Sequence, residues 1–174
     1  KIAVNLSERQ FRQNTLVMVV SQALNKSGLD PGALELELTE GTIMRNAEET
    51  VFTLTELKAM GMHISIDDFG TGYSSLSYLK RFPINALKID RSFVKDVATD
   101  SDSAAIVDAI IALSRSLDIN LVAEGVETKE QYLYLQNKGC PEMQGYYISR
   151  PLPAPEYARW QQSYQAPKHV SVGA

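Results

Sequence analysis

The sequence predicts an α/β fold, a TIM-type (β/α)8 barrel of which these 174 residues carry about the last six strands. Three observations point there. Short apolar runs alternate with segments of helical period, and that alternation demands crossover connections and a parallel sheet. Asn5, Glu37, Asp67, Lys88, Glu124 and Gln144 each stand at or near the downstream end of a strand-like run, one to a unit. A barrel gathers its site from the carboxyl ends of many strands in this way, whereas an open sheet focuses a ligand at one switch point. Finally, 44 % hydrophobic and 22 % charged residues are ordinary values for a globular domain with a sizeable core.

The strand-like runs are residues 2–6, 34–38, 63–66, 86–89, 121–123 and, less clearly, 145–148. Between the first two, Leu16, Val19, Val20, Ala23 and Leu24 share one helical face, stopped by Gly28 and Pro31. Ala47, Val51, Leu54 and Leu57 form a second helical stripe with Gly61 just past its end, and Ile106, Ala109, Ile110, Leu113 and Leu117 a third. Thr128 with Gln131 makes a capping box for a fourth helix, closed by Gly139. A short helix is expected after Ser74, ending before Pro83, and a last one from Pro155. No linker or charge block divides the chain. Residues 1–165 read as the C-terminal three-quarters of one barrel domain and residues 166–174 as a frayed tail. Two further strands are expected to precede Lys1.

Period two assigns the faces of each strand. In residues 34–38 the leucines face the outer helices and Glu37 the barrel axis, with Glu35 inward beneath it. By the same parity Ile64, Ile66, Leu87 and Ile89 face out, while Asp67 and Lys88 face in.

Composition narrows the function. A net charge of −4 without a basic stripe argues against a nucleic-acid polymer as partner. The single cysteine, Cys140, forms no internal disulfide, which suits a reducing compartment. The longest purely apolar runs, residues 16–20 among them, have five residues and are far too short to span a bilayer, and no charged-then-apolar leader opens the chain. The expected location is the cytoplasm, with no membrane contact by this segment, though a membrane-tethered multidomain parent is compatible with it.

Asp67-Asp68 is the strongest local signal for chemistry. Adjacent carboxylates repel one another unless cations compensate. With Glu37, Glu124 and Glu127 the cluster reaches five negative charges against the one positive charge of Lys88, and the residual −4 equals the charge of two divalent cations. Asn5 and Gln144 add neutral carbonyl oxygens. An all-oxygen set favours Mg²⁺ or Mn²⁺ over zinc, and neither His63 nor His169 pairs with Cys140 at a zinc spacing. Phe69 follows directly, and then Gly70, Thr71 and Gly72, readable as a mobile loop against a ligand or as a tight strand-to-helix turn with Ser74 as N-cap. Glu40 is placed to hold that loop by accepting backbone hydrogen bonds.

Together these residues resemble the EAL family of cyclic di-GMP phosphodiesterases. The likeness rests on Val4-Asn5-Leu6-Ser7, Glu35-Leu36-Glu37-Leu38-Thr39-Glu40, the specific string from Asp67-Asp68-Phe69-Gly70-Thr71-Gly72 to Leu76, Leu87-Lys88-Ile89-Asp90, Ala123-Glu124-Gly125-Val126-Glu127-Thr128 and Gln144-Gly145-Tyr146. It implies a modified TIM barrel that linearises cyclic di-GMP to 5′-pGpG with Mg²⁺ or Mn²⁺, two ions in all. By that likeness Asn5, Glu37 and Asp67 ligate metal and Asp67 bridges towards the second ion. Asp68, Glu124, Glu127 and Gln144 complete the second ion's shell and its waters. Lys88 matches the lysine beside the attacking water, so that Lys88 and Glu124 are the catalytic pair, and Glu40 matches the loop-anchoring glutamate. The resemblance also allows a homodimer and an upstream sensory or GGDEF domain. The Glu-Ala-Leu tripeptide that names the family, with its metal-ligating glutamate, is not in this sequence, nor is the arginine expected to meet the substrate phosphate; the chain is expected to begin downstream of both. The rival readings are a receptor that binds cyclic di-GMP without cleaving it, a fragment inactive for want of the first glutamate, and a different Mg²⁺-dependent barrel enzyme such as an enolising lyase.

Overall fold

The structure, a computed structural model, describes residues 1–72 and 75–164. Six strands form one sheet in chain order: β1 (Ile2–Asn5), β2 (Leu34–Thr39), β3 (His63–Phe69), β4 (Ala86–Ile89), β5 (Asn120–Ala123) and β6 (Glu142–Met143). Every neighbouring pair is parallel. The result is a half-barrel with helices on its convex side, as expected for six strands of a (β/α)8 barrel.

Parity decides what lies on each side. Leu36, Leu38, Ile64, Ile66, Leu87, Ile89, Leu121 and Ala123 point outward and are almost fully buried under the helices. Burial of side chains this large is worth roughly 1.5–3 kcal/mol each, so register is strongly fixed and a one-residue slip would be costly. The alternate residues Glu35, Glu37, Lys88, Val122 and Glu142 line the concave side.

The long helices follow the apolar stripes. α2 (Leu16–Ser27) ends at Gly28 in the left-handed conformation; α4 (Ala47–Ala59) ends two residues before Gly61. α7 (Ser101–Leu117) begins at the Asp100 cap, whose side chain accepts from the Ser103 N–H, and α8 (Lys129–Lys138) has the Thr128–Gln131 capping box and the Gly139 stop. α9 (Ala154–Ser163) starts beside Pro155. Among the described residues no helix is long and apolar enough to cross a membrane.

Shorter helices carry too few residues to show a period. α1 (Glu8–Phe11) has a complete capping box between Ser7 and Gln10, α3 (Glu40–Met44) follows β2 without a gap, and α6 (Arg91–Asp96) is capped by Asp90. The short helix expected after Ser74 is α5 (Leu76–Leu79), with Ser75 as its N-cap residue. Ser74 and the tail 166–174 lie outside the described residues.

One expected strand is wrong. Residues 145–148 form a turn, closed by the N–H groups of Ile148 and Ser149 donating to the Gly145 carbonyl, and β6 lies just upstream, pairing Glu142 with Val122 and Met143 with Ala123. Pro141 and Glu142 hide that short strand from a hydrophobicity reading. The turn is enforced by contact: a Cβ at Gly145 would sit 2.2 Å from the Val126 carbonyl oxygen and 2.3 Å from its nitrogen. Those are backbone atoms already engaged, since Val126 N–H donates to Gln144 O and Val126 O accepts from Tyr147 N–H. Gly145→Ala is therefore expected to lower stability by about 1–3 kcal/mol or more through overpacking, measured as a drop in the urea midpoint at unchanged slope.

Candidate functional site

The inward-facing polar side chains converge on one ammonium. Lys88, at the middle of β4, reaches Glu37 Oε1 from β2 at 2.6 Å, Glu124 Oε1 after β5 at 2.6 Å and Asp67 Oδ1 from β3 at 3.6 Å. Lys88 and Glu37 are buried, Asp67 and Glu124 mostly so. Buried ions are tolerated only when paired in this way. Burial alone would push the Lys88 ammonium down, but its hydrogen bonds to Glu124 and Glu37 outweigh that and hold it well above the ordinary lysine value. Burial raises the Glu124 carboxyl, with Asp67 and Glu37 adding to the rise and Lys88 opposing it.

A bulge sets the Asp pair. Between β3 and β4 the partners run Ile66 with Leu87 and then Phe69 with Ile89, so β3 spends three steps where β4 spends two. Asp68 takes the left-handed conformation with φ 53°, which aspartate tolerates better than most residues. Its N–H donates to Asp67 Oδ1 at 3.0 Å. The extra residue lets Phe69 return to the outer core, 4 % exposed, behind two consecutive acids. Burial first, then the charges of Asp67 and Asp90, raise the Asp68 carboxyl. Asp90 goes the other way: burial pushes it up, but hydrogen bonds from Ser92 bring it below the usual value.

The glycine loop is tied from below. Glu40, buried at the start of α3, accepts from the Gly70 N–H at 2.9 Å and the Gly72 N–H at 3.3 Å through one oxygen, while Thr71 donates its hydroxyl to the Asp68 carbonyl. Across the rim, Gly125 has φ 70°, and a Cβ there would lie 2.6 Å from that of Arg91. Glycine lets the segment carrying Glu124 close onto the start of α6. Beyond it, Gln131 accepts from the N–H groups of Glu127 and Thr128 and donates to the Lys95 carbonyl, fixing the backbone of the Glu127 segment against the same helix.

Asn5 pairs in register with Glu37 at the sheet edge, and Gln144 lines the cleft of about 700 Å³ that holds Glu37 and Lys88. Both are exposed, as is Glu127, so Glu37, Asp67, Lys88 and Glu124 are drawn into direct contact while these three stand around them. Two neighbouring polar residues were given no role by the sequence reading. Asp90 shares the parity of Lys88 one step beyond β4, and that signal could have marked it. Ser65, fully buried and in register with Glu37, has a hydroxyl without a hydrogen-bond partner; nothing in the sequence pattern marks it.

The donors fit a hard cation chemically, since every one is oxygen and three already surround a positive charge. Among the described residues, however, no three acidic, histidine or cysteine side chains are grouped as a metal cage by themselves; the lysine takes the centre. A parallel half-barrel with an acidic site at the carboxyl ends of its strands defines a TIM-barrel-type domain. The chain belongs to the EAL domain family, whose model matches residues 1–151. It is 55 % identical over 153 residues to the bifunctional diguanylate cyclase/cyclic di-GMP phosphodiesterase MucR of Pseudomonas aeruginosa, covering 88 % of this chain and 22 % of MucR. The solved MucR phosphodiesterase in complex with c-di-GMP superposes with a TM-score of 0.88 at 54 % identity, over 90 % of this chain and 64 % of that one. The manganese/cyclic di-GMP complex of BlrP1 from Klebsiella pneumoniae gives 0.79 at 35 % identity, over 87 % and 39 %. The chain thus spans about a fifth of the full-length MucR it matches.

The strained ionisation of Asp68 yields a test. A carboxyl raised in the fold contributes stability below the ordinary carboxylate value and loses it as pH rises through the raised one. Asp68→Asn removes that charge and keeps a side chain suited to positive φ. In chelator it is expected to raise the melting temperature near pH 7, a gain that disappears on acidification to about pH 3–4.

Proposed function

We propose that the protein carrying this chain hydrolyses cyclic di-GMP to linear 5′-pGpG with divalent cations at the carboxylate site. One observation carries the reading: the contact of Lys88 with Glu37, Asp67 and Glu124, drawn from four successive strand units, in a chain 54 % identical to a structure holding that nucleotide. Asn5, Glu37 and Asp67 would hold one ion, and Asp67, Asp68 and Glu124 the second, with Glu127 and Gln144 positioning its waters. Mg²⁺ or Mn²⁺ would supply Lewis-acid stabilisation of the phosphodiester oxygens and a water of lowered pKa. The manganese in the Klebsiella relative and the all-oxygen donors support that choice.

The protein's own residues do the rest. Lys88, held charged by its neighbours, orients the attacking water and offsets negative charge growing on the phosphorus oxygens. Glu124, 2.6 Å from the Lys88 ammonium, holds that side chain towards the water. Glu40 steadies the glycine loop at the rim. The same reading has the domain work in the cytoplasm, joined to an upstream sensory or GGDEF unit; the nucleotide substrate and the small share of MucR the chain spans support it.

Two measurements on the full-length protein test this. Exhaustive chelation is expected to abolish hydrolysis of cyclic di-GMP, with Mg²⁺ or Mn²⁺ but not zinc restoring it; activity that survives chelation refutes the reading. Lys88→Met is expected to lower kcat by on the order of 10²-fold or more while nucleotide affinity changes little. Tight binding with no turnover in the unsubstituted, metal-loaded protein would instead identify a receptor.

A further inference from the structure

Resting on that reading of the site, we propose that Lys88 competes with metal for Glu37 and Glu124, so that this side chain sets how tightly the domain holds its cations. The ammonium lies 2.6 Å from one oxygen of each carboxylate and 3.6 Å from Asp67. A hard divalent ion bound by the same groups needs carboxylate oxygens at about 2.0–2.2 Å in a nearly fixed geometry. An ammonium and a divalent ion drawn to the same carboxylates repel each other at short range, in surroundings where charge is poorly screened. Lys88 cannot retreat far: its backbone is fixed in β4 between β3 and β5, and its side chain is only 8 % exposed. Metal entry therefore costs at least part of the lysine's contacts, and lysine contact costs part of the metal's hold.

The arrangement has a second side. Glu37, Asp67 and Glu124 come from separate strands and repel one another when charged; their shared contact with Lys88 keeps them together before a metal arrives. Removing the ammonium should loosen the site without metal and tighten it with metal. A lysine that only positioned water would leave metal affinity unchanged, and one that only scaffolded the ligands would weaken it on removal. The sign separates the three.

The experiment titrates Mn²⁺ into the full-length protein, following heat and the electron paramagnetic resonance signal of free Mn²⁺, with thermal unfolding in chelator alongside. Lys88→Met is expected to bind Mn²⁺ more tightly by on the order of tenfold, to melt below the unsubstituted protein in chelator, and to recover that deficit with Mn²⁺. Lys88→Arg keeps the charge in a fork that grips carboxylates in two places, and is expected to bind Mn²⁺ more weakly than the unsubstituted protein. Unchanged or weaker binding by Lys88→Met overturns the proposal. Should that variant not fold, Lys88→Arg decides alone, and affinity equal to or above that of the unsubstituted protein overturns it. An unsubstituted protein that takes up no Mn²⁺ would overturn the metal reading itself, a result distinct from Mn²⁺ uptake that is indifferent to residue 88.

Discussion

A buried positive charge among buried carboxylates organises this half-barrel. Lys88 is satisfied only if β2, β3 and the end of β5 all bring acids within its reach; in register it faces Val122 while Glu37 faces Ser65, so the acids meet the ammonium from different levels of the sheet. Removing one partner would leave a charge in a place where water cannot fully solvate it, at a cost of about 3–5 kcal/mol in comparable buried pairs. The outer leucines and isoleucines supply the bulk of the folding energy without caring which charge lies on the axis. The ion contacts add little net stability by comparison, but they fix which side chains meet.

The surrounding structure is a set of devices for holding backbone near that charge. Glu40 ties the Gly70–Gly72 backbone to the start of α3. Gln131 ties the Glu127 segment to α6 through three backbone groups of two separate segments. Both side chains are buried and hydrogen-bond main chain, so the rim loops are anchored to helices rather than left to solvent. Shape at the rim is thus set by residues that need touch no ligand.

Much of this was legible in the sequence because its signals are periodic. Leucines at alternate positions around Glu37 gave the facing of β2, and helical stripes with Gly28 or Gly139 at their ends located α2 and α8. The convergence of Glu37, Asp67, Lys88 and Glu124 follows from parity once the strands are parallel. The failures come from elements too short to have a period. β6 has two residues, one of them charged, so the apolar text after Gly145 drew the assignment downstream. Asp90 carries the parity of Lys88 but stands one step beyond the strand, and Ser65 is placed opposite Glu37 only by register, which no local pattern encodes. The bulge was equally invisible: two aspartates in a row read as a charge pair, whereas the pairing of Phe69 with Ile89 shows an extra residue.

That extra residue separates two demands that a regular strand would force to compete. Without it, period two would bring Phe69 onto the axis; with it, the aromatic ring stays in the core and the strand gains a second acid. Loss of a single codon here would leave every outward-facing residue of β3 in its present register, because a phenylalanine directly after Asp67 would again fall on the outer face. The number of acids on this strand can therefore change between lineages by one insertion or deletion, with the hydrophobic architecture untouched.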